Sequence, residues 1–313
     1  MNLSVIICTH NPRKDYLTRV LDALKAQTLP QSQWELLLID NASKEPLAGQ
    51  WDLIWHPHAR IIREEELGLT PARLRGIKAA QAELLVFVDD DNVLAGDYLQ
   101  CATEIARQWP QLGVFGGCLT AEFEVPPEDW MKTYWPFLAI REVSRDVWTN
   151  NFRDSGIHPV GAGMVVRRSV AQAYFLSTTD KPLGRVLGRR GVSLISGEDS
   201  DIVRIATEQG QGFGLFKNLK LLHLISAFRL TEDYLVRLME GIATTGVIFS
   251  FLYSGKMPSP SRGIRFVLRH AFNLIFLPRR DRRFYLAQRR GLKKGVEILN
   301  GWRGGCDQTG AVS

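Results

Sequence analysis

The run Glu83-Leu-Leu-Val-Phe-Val-Asp-Asp-Asp-Asn92 constrains this chain more than any other stretch. Leu84 to Val88 are bulky and apolar without alternation, the pattern of a strand covered on both faces, as in α/β sheets flanked by helices. In such sheets ligands bind beyond the carboxyl ends of the strands, and Asp89, Asp90 and Asp91 begin there. Adjacent carboxylates repel one another, so a site that keeps them ionised needs compensating positive charge. The simplest source is a hard divalent cation with oxygen ligands that also bridges to phosphates. The plainer alternative is that Asp91 or Asn92 caps a following helix while the other acids are solvated.

The surrounding sequence supports the same class of fold. Strand-like runs at Leu3–Cys8, Trp34–Ile39, Arg60–Arg63, Leu84–Val88 and Gly113–Leu119 alternate with helix-like segments at Pro12–Gln27, Pro71–Ala82 and Gly96–Trp109. That order predicts a mostly parallel, doubly wound sheet, with Pro12 and Pro71 near the first helical turns, where a missing N–H costs nothing. From Glu122 to Ser155 the pattern breaks into a loop-rich insertion bearing Trp130, Trp135 and Trp148, long enough to be a functional cover. Strand character resumes at Val160–Val166, a short helix is expected at Ser169–Phe175, and Thr178–Ser193 is a Gly- and Arg-rich loop. Glu198–Gln209 is helical in period, Phe213–Leu224 holds one or two strands, and Glu232–Tyr253 is again helical. Met257–Arg262 is linker-like. The expected organisation is a catalytic domain over 1–230, a basic helical region over 231–300 and a disordered tail over 301–313.

Charge is unevenly placed. Lys256 to Arg303 holds 13 Lys/Arg against Asp281 and Glu297, so the net charge of +6 conceals a mildly acidic remainder. No nucleic-acid partner is expected for the catalytic domain; the basic end suits an anionic membrane surface. Within Gly263–Leu277 and Asp281–Leu299, apolar residues such as Phe272 and Phe276 and cations such as Arg283 and Arg290 fit that use, the alternative being packing on the protein. No run reaches the roughly 20 apolar residues of a membrane span. Cys8, Cys101, Cys118 and Cys306 lack metal-ligand spacing, and the N-terminus opens on a strand without signal-peptide features. A cytoplasmic protein, peripheral on the membrane's cytoplasmic face, is expected.

Three strand ends converge on one rim: Cys8-Thr-His-Asn-Pro12, Ile39-Asp-Asn-Ala-Ser43 and Val88-Asp-Asp-Asp-Asn92. With Gly68-Leu-Thr-Pro-Ala-Arg-Leu-Arg-Gly76, and Gly-Glu-Asp-Ser-Asp201 about 110 residues after the acid triple, the chain resembles the family 2 glycosyltransferases over about residues 3–235. The resemblance implies a glycosyltransferase-A fold, a mostly parallel mixed α/β sheet flanked by helices, here with a C-terminal helical extension. It also implies an inverting transfer from a nucleoside diphosphate sugar, most simply a UDP-sugar, to a hydroxyl on a glycan or lipid-linked acceptor. A Mn2+ or Mg2+ ion would assist.

The residues take roles accordingly. Asp40 accepts from a base N–H, the alternative being an Asx turn with Asn41 and Ser43. Arg73 contacts base or phosphate, Thr9 the nucleotide, and Asp89 and Asp90 the ribose side. Leu74 stands where the family commonly has Asn. Asp91 and Asp89, with His223 as a possible third ligand, hold the metal; a lone His in an apolar stretch is otherwise a core residue. Gly161 and Gly163 leave room for the donor sugar, or else serve tight packing. Asp199 is the general base and Glu198 orients it or the acceptor, although acids in a first helical turn also serve the helix dipole. Arg185, Arg189 and Arg190 close over the diphosphate or are solvated charges, and the tryptophans stack on acceptor sugars or belong to the core. A sugar nucleotidyltransferase would carry a Gly-rich basic loop after the first strand, which Thr9-His-Asn-Pro12 lacks. A non-catalytic sugar-binding protein would not need the Glu198-Asp199 pair.

Overall fold

Alternate residues of each central strand divide between two cores. In β1 (Leu3–Thr9), Leu3, Val5 and Ile7 enter one core and Ile6 the other; in β4 (Leu84–Asp89), Leu84, Val86 and Val88 part from Leu85 and Phe87 in the same way. Both faces are therefore covered, as the unbroken apolar runs required. In this computed structural model, which describes residues 1–180, 186–191, 193–257 and 264–309, α1 (Lys14–Lys25) and α3 (Tyr98–Gln108) line the first core. The second is lined by α2 (Leu69–Ala79), α4 (Arg168–Asp180) and α5 (Glu198–Glu208). Beyond Met257 the expected linker lies outside the described residues, as does Arg185.

The nine strands found among the described residues form one mixed sheet. Its order is β3 (Ala59–Glu64), β2 (Trp34–Asn41), β1, β4, β8 (Val165–Arg167), β6 (Leu112–Phe123), β9 (Gly212–Ile225) and β5 (Asn92–Leu94), with β7 (Val147–Thr149) also paired to β9. The run β3-β2-β1-β4 is parallel, β8 runs against both β4 and β6, and β6 and β9 are parallel. One reversed strand between β4 and β6 leaves the carboxyl ends of β1, β2, β4, β6 and β9 on a common rim. The strand expected at Val160–Val166 is shorter: Gly163 takes a left-handed φ of 74°, which is not extended backbone, and the regular strand is Val165–Arg167.

The chain divides into two compact units, Met1–Arg185 with Glu198–Leu230, and Val186–Gly197 with Thr231–Ser313. The second is built on α6 (Glu232–Ser254) packed against α8 (Arg279–Thr309), with α7 (Ile264–Phe276) between them in sequence. Close approach follows from Gly291 and Gly295: a Cβ at Gly291 would lie 2.2 Å from the Glu240 carbonyl, and one at Gly295 2.6 Å from Val247. Arg290 pairs with Glu240 at 2.8 Å, and Arg283 with Glu232 at 2.5 Å and with Asp233. These arginines, assigned to lipid headgroups from sequence, also pair with acids of α6. Two further observations concern the helices of this unit. α6 is long and apolar enough, by length and composition, to cross a membrane, with half of its apolar window buried in the unit. α8 continues to Thr309, so residues 301–309 are helical rather than tail.

Candidate active site

The rim of the first unit is assembled from loops that follow β1, β2, β4 and β9. At β1 the Thr9 hydroxyl donates to Asp90, and the amide of Asn11, at φ 48°, donates to Ser43 Oγ at 3.0 Å. At β2, Asp40 accepts from the amides of Ser43 and Leu47, each at 3.1 Å, and from Arg63 Nη1 at 2.8 Å. Burial alone would raise its pKa, but Ser43, Arg63 and the Leu47 amide hold it below the ordinary carboxylate value. The Asx-turn alternative therefore describes Asp40 in this conformation, and a base N–H would compete with Arg63 for the same oxygen.

Arg73 departs further from its expected role. Presented by α2, its Nη1 lies 2.8 Å from Asp199 Oδ1 and 3.5 Å from Glu198 Oε2, and its guanidinium sits over the Phe87 ring at 5.4 Å. Burial opposes its charge, yet Glu198, Asp199 and Asp89 together hold it ionised above its ordinary range. The two acidic clusters, far apart in sequence, thus converge on one cation. Glu198 is 3% exposed and accepts from the Tyr174 hydroxyl at 3.3 Å; burial, with a smaller push from Asp199, raises its pKa against the pull of Arg73. Asp199 keeps 25% of its side chain exposed. The third acid of the motif, Asp201, is tied to Arg204 at 2.7 Å and stabilises its own helix.

Gly161 explains why this network fits. A Cβ there would lie 2.1 Å from Arg73 Nη2 and 2.7 Å from Asp199 Oδ1, so the space expected for a donor sugar is used by the ion pair. Gly163 instead faces the interior, its carbonyl accepting from the Tyr98 hydroxyl at 2.5 Å and a Cβ meeting that hydroxyl at 2.6 Å. Packing is the reason for the second glycine.

In the acid triple, Asp89 is half-buried, and its amide donates to Asn92 Oδ1 at 3.2 Å. Asp90 is pushed up to about 7 by burial and by Asp91, with Thr9 opposing. Asp91 is set beside His223 by the β5–β9 ladder, which pairs Asn92 with His223. The expected metal set is nevertheless not assembled. Asp91 Oδ2 lies 3.0 Å from Arg229 Nη2, its Oδ1 accepts from Asn92 Nδ2 at 3.0 Å, and His223 Nε2 lies 3.0 Å from Arg229 Nη1. A guanidinium only donates, so Nε2 accepts and the ring proton sits on Nδ1, which is buried without a hydrogen-bond partner among the described residues. A metal-bound histidine ordinarily donates its second nitrogen to a carboxylate or carbonyl. Among the described residues, no three His, Cys, Asp or Glu side chains are grouped to hold a metal. These residues, as placed, do not fit a Mn2+ or Mg2+ ion.

Arg229, Arg63 and Tyr174 escaped the sequence reading. The one available signal was general: three adjacent acids call for a nearby cation, whatever its identity. Cys8 lies beneath the site as a free thiol, its pKa driven far up by burial. Trp135 packs on Phe123 and Trp148 on Trp109, with ring centroids 5.7 Å and 5.9 Å apart. Trp148 pairs with Gly214, at the opposite end of β9 from His223, so its exposed ring is away from the acids. Arg189 and Arg190 belong to the second unit.

A model of the family described as Glycosyl transferase family 2 matches residues 4–175. Among curated relatives, glycosyltransferase AglE of Haloferax volcanii is 32% identical over 115 residues, 36% of this chain and 34% of that protein. The putative glycosyltransferase EpsH of Bacillus subtilis is 25% identical over 122 residues, 39% of this chain and 35% of that protein. The chain thus spans about a third of the length of these relatives. A crystal structure of S. aureus TarS 1-349 in complex with UDP-GlcNAc superposes with a TM-score of 0.50 at 14% identity, covering 97% of this chain and 92% of that one. That likeness is one of fold.

Proposed function

Because the chain belongs to glycosyl transferase family 2, we propose that it moves a sugar, with inversion, from a nucleoside diphosphate donor to a hydroxyl acceptor in glycan or polysaccharide synthesis. The acceptor oxygen attacks the anomeric carbon, the bond to the diphosphate breaks, and Asp199 takes the acceptor's proton. One observation carries this reading: Asp199 Oδ1 is gripped by Arg73 at 2.8 Å while a quarter of the side chain stays exposed. Such a carboxylate is oriented without being plugged. Glu198, buried beside it, suits a positioning role, which its contacts with Tyr174 and Arg73 support. Uridine is the first nucleoside to test, being the one in the TarS complex.

The decisive variant is Asp199→Asn. Donor affinity should stay within about twofold while turnover falls by roughly 10²–10⁴. Substantial turnover in that variant would remove Asp199 from the role of base.

We also propose that the protein works at a cytoplasmic membrane surface, on a glycan or lipid-linked acceptor. The support is α7, where Val267, Leu268, Phe272, Ile275 and Phe276 are 58% to 67% exposed and Arg265 and Arg269 are exposed with them. An apolar stripe flanked by cations suits the boundary between anionic headgroups and acyl chains.

A further inference from the structure

Charge at the rim where β4, β5 and β9 meet is balanced by a side chain. Arg229 stands in the short 3-10 turn Ala227–Leu230 that follows β9. Its two terminal nitrogens reach Asp91 Oδ2 and His223 Nε2, each at 3.0 Å, and Asp91 and His223 are themselves only 3.5 Å apart. The guanidinium therefore sits where a cation touches both groups. We propose that Arg229 is the resident cation of this acid cluster, balancing Asp91 in place of a divalent metal and offering its positive charge to the diphosphate of the donor. This inference rests on the reading of the rim as a nucleotide-sugar site.

Three features favour a built arrangement over a chance contact. The ladder fixes the acceptors: Asn92 pairs with His223, and the Leu224 amide donates to the Asp91 carbonyl at 2.8 Å. The turn is anchored independently of the acids, because the Ala227 amide donates to Glu124 Oε2 at 2.8 Å and Glu124 is held in turn by Arg13 at 3.0 Å. Finally, the histidine is committed to the guanidinium through Nε2, and among the described residues its buried Nδ1 meets no carboxylate or carbonyl of the kind that usually supports a metal ligand. Arginine also suits the task chemically. It keeps its charge at any working pH, matches phosphate oxygens with a planar fork of donors, and here remains 24% exposed.

Two measurements on the full chain test this. Calorimetric titration with UDP-sugars is run with EDTA and with Mn2+, and binding of Mn2+ alone is followed by electron paramagnetic resonance. Wild-type protein should bind donor equally well, within about twofold, in EDTA and in Mn2+, and should leave the Mn2+ spectrum that of the free ion. Arg229→Gln should lose donor affinity by about 10- to 100-fold, the worth of one charge-assisted contact. It should also take up Mn2+, because Asp91 and His223 are then released. Stoichiometric Mn2+ uptake by the wild type, or donor binding that appears only with Mn2+, overturns the assignment. Should the variant fail to fold, the wild-type arms still decide. Failure of every UDP-sugar to bind under both conditions would instead count against the nucleotide-sugar reading, while the spectrum with Mn2+ alone would still judge Arg229.

Discussion

Arg73 offers the sharpest test of how the site is held together. Replacing it by Met preserves much of its length but removes the cation shared by Glu198 and Asp199, at 3.5 Å and 2.8 Å. Breaking a buried ion pair by deleting one partner costs about 3–5 kcal/mol, since the remaining charge is stranded. Asp199 is a quarter exposed, so water repays part of its loss, whereas Glu198 at 3% exposed is not repaid. The lower end, about 3 kcal/mol, is therefore expected near pH 8.

The deficit should also depend on pH. Glu198 already has a folded pKa above its ordinary value through burial, with Arg73 the main influence holding it down. Without Arg73 it rises further. A carboxyl raised in the folded state binds its proton more readily there than when unfolded, so its stabilisation is full below the unfolded value and is lost as pH climbs through the folded one. Arg73→Met should thus trail the wild type least near pH 5 and most near pH 8. Urea unfolding followed by circular dichroism measures this; about 3 kcal/mol with a slope near 3 kcal/mol/M moves the midpoint by about 1 M. Adding Glu198→Gln should recover most of the loss at pH 8. A deficit equal at both pH values, or no rescue by the second change, would refute the assignment of the cost to a stranded Glu198.

Gly161→Ala should cost only about 1–3 kcal/mol in urea, because the atoms it meets are the movable tips of Arg73 and Asp199. Its turnover should fall far more than its stability, in contrast to Gly163→Ala, where a left-handed φ and the Tyr98 hydroxyl make folding the first casualty. Thr231→Ala removes the side-chain acceptor for the Tyr234 amide at 3.2 Å and should lower the stability of the second unit by about 1 kcal/mol, read by hydrogen exchange in α6. Replacing Phe272 and Phe276 together by Ser should abolish flotation with anionic liposomes; unchanged flotation would exclude α7 as the contact.

The strands were legible because covering a sheet on both faces leaves unbroken apolar runs, and Leu36 to Ile39 and Leu84 to Val88 carry that mark plainly. The acids were legible because they follow those runs. Their partners were not: Asp40 meets Arg63 across 23 residues and Asp199 meets Arg73 across 126, distances over which local pattern carries no information. Whether a carboxylate serves a ligand or an arginine depends on the register of strands, as the pairing of Asn92 with His223 illustrates. Gly161 and Gly163 look equivalent in sequence. Only their neighbours, an ion pair for one and a tyrosine hydroxyl for the other, separate them.

The long strand Gly212–Ile225 runs alongside β6 and delivers His223 and Leu224 to the acids that follow β4. A polypeptide leaving the ribosome therefore emerges with Asp91 uncompensated, and waits for more than a hundred further residues before Arg229 and His223 are available. Truncations that end before Gly212 should be recovered as swollen, protease-sensitive species even though every strand of the parallel half is present.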